Sequence, residues 1–97
     1  MTQPQLSQTD SAWLEKVLRA ARSRLKSASD GQVPERAKSL AVMDSAMREF
    51  STASPSIDAI RGAFMVAYAE LAHVTDTSSL RLAIRAVVWR VFQIKLP

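Results

Sequence analysis

Leu82-Ala83-Ile84-Arg85-Ala86-Val87-Val88-Trp89-Arg90-Val91-Phe92-Gln93-Ile94 is interrupted by only three polar side chains, Arg85, Arg90 and Gln93. Such a stretch has two apolar sides when wound as a helix. A surface helix of a small domain needs one apolar stripe and leaves its other face to water. A helix apolar on two faces must bury both, and a chain of 97 residues offers few places to do so. The surplus predicts a partner, either a second copy or a different protein.

The segments before it read as three further helices. Asp10 or Ser11 is the expected N-cap of the first, which runs to about residue 28 and is stopped by Ser29-Asp30-Gly31. Leu14, Val17, Leu18, Ala21 and Leu25 share one stripe at helical spacing. The second opens at Pro34, a residue suited to a first helical turn, and ends near Ser51, with Leu40, Met43, Met47 and Phe50 inward. Ser54-Pro55 restarts the chain, and Ile57, Ile60, Phe64, Ala67, Leu71 and Val74 make the third stripe. Thr75-Asp76-Thr77-Ser78 is rich in capping residues and precedes a fourth helix over residues 78–95, whose core stripe is Leu80, Ile84, Val87, Val91 and Ile94. Glycine occurs only at 31 and 62, and no strand-like alternation with hairpin signals is present. The fold expected is all-α, a small four-helix bundle with short connections: a polar, disordered segment over residues 1–10, then a single helical domain over 11–97.

Composition excludes several functions. The chain is 47% hydrophobic and 23% charged, which is ordinary for a globular protein. Without cysteine there is no disulfide framework, thiolate metal site or cysteine nucleophile. Residues 1–10 carry no positive charge ahead of an apolar stretch, so no signal peptide is expected, and the longest apolar run is too short and too rich in arginine to span a bilayer. A cytoplasmic protein that does not enter a membrane is expected. The nine acids are never three or four residues apart, so no single helix presents a carboxylate pair to a metal or a proton transfer. His73, the one histidine, reads as a partly buried or interface residue rather than a base or ligand. Neither an enzyme nor a cofactor is expected.

Charge is unevenly spread. Residues 1–28 sum to +3, residues 29–76 to −3, and residues 77–97 to +4 with no acid at all. Arg19, Arg22 and Lys26 lie within about 60° of one another around the first helix, opposite its apolar stripe. They form either a solvated face or a grip for phosphates or an acidic protein surface. Glu15 with Arg19, and Asp44 with Arg48, are spaced for ordinary pairs along a helix.

Three surfaces compete for a functional role. Arg81, Arg85, Trp89 and Phe92 share a face of the fourth helix, with Leu82 beside them, and combine the residue types that dominate binding hot spots. Arg85 and Trp89 are one turn apart and spaced for a cation–π pair. The alternative is that Trp89 and Phe92 pack on the first helix; Trp13 is expected in the core or at a helix end. Gly62, Val66, Ala69 and His73 form a small-residue face on the third helix, suited to close helix packing or a homodimer. Residues 69–85 have the flavour of a helix-turn-helix, but His73 stands where such turns favour glycine, Leu80 comes one position late, and the second helix is too apolar for a DNA groove. The expected function is a non-enzymatic protein-binding module: an adaptor, inhibitor or regulatory subunit, a size and chemistry that suit a phage or mobile-element protein. Its expected partner is another protein, an acidic surface being one option, or a second copy of the chain. Nucleic-acid binding through the basic terminal helices or the 69–85 unit is the alternative, expected to be weak and non-specific.

Overall fold

The computed structural model describes residues 6–29 and 31–97. Among them the chain forms four helices and no strand: α1 (Gln8–Ser27), α2 (Arg36–Glu49), α3 (Ile57–Leu71) and α4 (Ser78–Phe92). This is the expected all-α bundle. Residues 1–5 of the polar segment, and Asp30 of the first break, lie outside the described residues.

Helix α1 begins earlier than Asp10 or Ser11. The Ser7 hydroxyl accepts the Asp10 N–H at 3.0 Å, and the Ser7 carbonyl accepts the Ser11 N–H at 2.9 Å. Ser7 is therefore the cap, and Asp10 becomes the first-turn acid that complements the helix dipole. All five residues of the expected α1 stripe are buried.

Helix α2 begins later than Pro34. Val33 is almost wholly covered by the core, and the chain turns there, with the Arg36 N–H donating to the Val33 carbonyl at 3.1 Å. Its buried line is also rotated: Ser39, Met43 and Ala46 are innermost, while Leu40, Met47 and Phe50 are only half-buried flanks. Two small residues at the centre let α2 approach its neighbour closely, and α2 packs most extensively against α3. The Glu49 carboxylate at the end of α2 accepts the Ser56 N–H at 2.7 Å, while the Ser56 hydroxyl caps α3 through the Ala59 N–H at 3.2 Å.

Helices α1 and α3 each contact every other helix, whereas α2 and α4 do not touch. The pair α1/α3 is the centre, and α2 and α4 flank it. Helix α3 therefore buries a wide sector, adding Ala63 and Tyr68 to the expected Ile60, Phe64, Ala67 and Leu71. That width explains its apolar character without a partner.

Between α3 and α4, Thr77 is buried, and its hydroxyl proton is shared between the carbonyls of Leu71 at 2.8 Å and Val74 at 3.0 Å. It thus satisfies the end of α3 rather than capping α4. Thr77→Val keeps the shape and removes the donor, so it is expected to lower stability by about 1–2 kcal/mol in denaturant melts. An unchanged midpoint would show that water replaces the hydroxyl at that turn.

Candidate functional site

Helix α4 buries Ile84, Val87 and Val88 completely against the centre of the bundle. On the opposite side Leu82 is 60% and Trp89 54% exposed. Leu82, Arg85, Ala86 and Trp89 lie within about 100° of one another around the helix and form its outward face. The other two residues expected there turn away. Phe92 is half-buried against the core, and Arg81 is half-buried with its guanidinium 4.3 Å above the Tyr68 ring of α3. Arg81, not Arg85, therefore makes the cation–π contact, and its head group is committed within the chain.

The helix ends at Phe92, three residues before the expected Lys95. Gln93 takes a left-handed conformation (φ 57°, ψ 36°), and its N–H closes on the Trp89 carbonyl at 3.0 Å. A non-glycine residue there costs roughly 1–2 kcal/mol, offset by what the reversal brings in. Leu96 is buried in the core, and the Tyr68 hydroxyl donates to the main-chain oxygen of Pro97. Ile94 thus belongs to the returning tail, not to the stripe of α4.

This tail is the second wall of a groove of about 450 Å³, lined by Leu82, Arg85, Ala86 and Trp89 on one side and Ile94, Lys95 and Leu96 on the other. Sequence reasoning missed the tail because a helical period continues through Gln93 and Ile94. Arg85 and Lys95 border the groove, and no acidic side chain pairs with either among the described residues.

The basic face of α1 is different in kind. Arg19 meets Glu15 at 3.5 Å, as spacing predicted. Arg22 instead reaches across to α2 and clasps Asp44 with two nitrogens, the longer bond being 3.4 Å. Asp44 therefore does not pair with Arg48, which donates to the Ser45 hydroxyl at 3.3 Å. The Arg22 hydrogen bond holds the Asp44 carboxyl below its ordinary range, with its Coulomb attraction and those of Arg48 and Lys26 adding to the shift against partial desolvation. The cluster of Arg19, Arg22 and Lys26 consequently contains acids and faces the α2 flank.

On α3, Gly62 and Val66 are half-buried and Ala69 is exposed, while His73 is exposed in the turn that follows the helix. A Cβ built at Gly62 meets nothing within 4 Å, so this face is not a close helix contact inside the chain. The unit 69–85 has six residues between its helices, longer than the three or four of a helix-turn-helix. Among the described residues no three His, Cys, Asp or Glu side chains come together in a metal-binding arrangement, and no helix is long and apolar enough to cross a membrane. No protein-family model, curated protein or solved structure matches the chain.

Two outcomes follow from this geometry. Gly62→Ala is expected to raise stability by about 0.5–1 kcal/mol, the helix-propensity gain, because the added methyl group meets nothing; a loss in the melting temperature would mean that the face is covered in solution. The Arg22–Asp44 pair is about a third exposed, so Asp44→Asn should cost no more than ~1 kcal/mol at neutral pH. Because folding depresses the carboxyl, that contribution is complete above the unfolded value near pH ~4 and disappears as pH falls through the lower folded value. Melts of the parent and Asp44→Asn should therefore converge in acid, and a gap that persists at low pH would assign it to packing instead.

Proposed function

We propose that the chain is a small non-enzymatic binding module that acts by covering a surface of another protein with the outward face of α4. One observation carries the reading. Leu82 and Trp89 stand exposed on one helix face, two turns apart, in a fold whose other large apolar side chains, Met65 apart, are at least partly covered among the described residues. Trp89 next to Arg85 supplies the large area and directional donors that concentrate binding energy at interface centres. An adaptor, inhibitor or regulatory subunit needs nothing more.

The charge distribution does not favour a nucleic-acid site. The α1 cations are interleaved with Glu15 and Asp44, while those of α4 flank an apolar groove. Contacts to phosphate want an open basic stripe.

The test is capture of partners by the tagged protein in its native cell, with nuclease present, comparing the parent with Trp89→Ala and Arg85→Glu. Both positions are exposed, so both variants should keep their helicity and cooperative melting. Each should lose a specific protein partner by at least ~30-fold in subsequent titrations. Retention of the same partners by both variants places the interface elsewhere, and loss of every partner on nuclease treatment returns the nucleic-acid reading to first place.

A further inference from the structure

We infer that the α4 groove takes one amphipathic helix of a partner protein, about two turns deep, whose apolar ridge is bordered by acidic side chains. This rests on the protein-binding reading above and names the chemistry of the partner.

Shape comes first. The groove is concave, with the helix face of Leu82 and Trp89 on one side and the tail of Ile94 and Leu96 on the other. A flat lipid surface or the backbone of a duplex does not fill such a cleft, whereas a row of side chains does. From Leu82 to Trp89 the helix rises about 10 Å, the span of apolar residues at positions i, i+3 or i+4, and i+7 of a docking helix.

Charge then selects among protein occupants. Arg85 and Lys95 line the groove, Arg90 stands exposed one residue beyond Trp89, and residues 77–97 contain no acid. Among the described residues these three cations have no ion pair. A second copy docked symmetrically on this face would bring arginine and lysine against arginine and lysine, with no carboxylate to relieve them. Partners bearing Glu or Asp on both sides of the apolar ridge find complementary charge at both walls. Trp89 would then be the apolar anchor and Arg85 the selector of charge.

The experiment selects helix-forming peptides of about 16 residues from a random library displayed against the intact protein, long enough to cover the groove with a turn on each side. Selected peptides should be amphipathic with acidic flanks, bind less tightly as salt rises, and lose at least ~30-fold in affinity on Trp89→Ala. The double variant Arg85→Glu, Lys95→Glu should reverse the selection toward basic flanks. Enrichment of Trp89-dependent peptides with neutral or basic flanks overturns the charge inference and leaves the protein-binding reading standing. So does an acidic preference that the double reversal leaves untouched. Failure to enrich any peptide overturns both readings, as does Trp89-dependent binding only to phosphatidylserine vesicles or to duplex DNA. A Trp89-dependent dimer in sedimentation assigns the groove to a second copy and overturns the inference.

Discussion

A helix that touches only two neighbours can bury only the sector that faces them, and α4 touches α1 and α3 alone. Its fully buried side chains, Ile84, Val87 and Val88, point into that cleft. Leu82 and Trp89 lie roughly 150° around the helix from them, beyond the reach of either neighbour. Helix α3 is as apolar as α4, yet its position at the centre covers a wide sector on three sides. Two similar sequences thus have different consequences, and the difference is set by where each helix stands in the bundle. The outward face of α4 stays uncovered because α2, the remaining helix among the described residues, lies on the far flank.

The exposed face is one wall of a groove only because the chain reverses after it. Gln93 accepts a left-handed conformation, and Leu96 then drops into the core. Tyr68 joins these events. Its ring carries the Arg81 guanidinium and its hydroxyl holds the Pro97 carbonyl. One buried aromatic residue on α3 therefore removes Arg81 from the outward face and fixes the tail that walls the groove. Without that reversal the outward face of α4 would lack its second wall.

Helix number and type were legible in the sequence because apolar residues at helical spacing report the buried stripe directly, as in α1 and α3. The calculation failed where small residues occupy the centre. Ser39 and Ala46 carry little hydrophobic weight, so the stripe of α2 was read one position off, through the larger Leu40 and Met47. Helix ends depended on individual hydrogen bonds, such as that of the Ser7 hydroxyl, that periodicity does not encode. Of the α4 face, spacing put Arg85 and Trp89 together but left open whether Trp89 packs on α1; in the fold both are exposed. Arg81 and Phe92 lie on its margin toward α3, and only tertiary packing decides such marginal positions. The tail was illegible because nothing in the composition of Gln93 marks a left-handed turn, a role more often taken by glycine or asparagine.

The two basic ends of the chain, similar in net charge, diverge once folded. Arg22 ties α1 to α2 through Asp44, Arg24 donates to the Thr75 carbonyl at 2.9 Å and ties α1 to the turn before α4, and Arg19 is met by Glu15. Much of the basic charge of α1 is thereby engaged within the bundle. On α4 and its tail the reverse holds: Arg81 alone is engaged, and Arg85, Arg90 and Lys95 face water around an apolar groove. Exposed cations keep a surface hydrated at little cost, and by themselves they would be ordinary. Beside a tryptophan and a leucine that the fold leaves uncovered, they instead set the sign of what can approach. The same three positive charges on a polar face like that of α1 would mean hydration alone. On α4, under the function proposed above, Arg85, Arg90 and Lys95 would select the partner, because Leu82 and Trp89 beside them offer it apolar surface to bury.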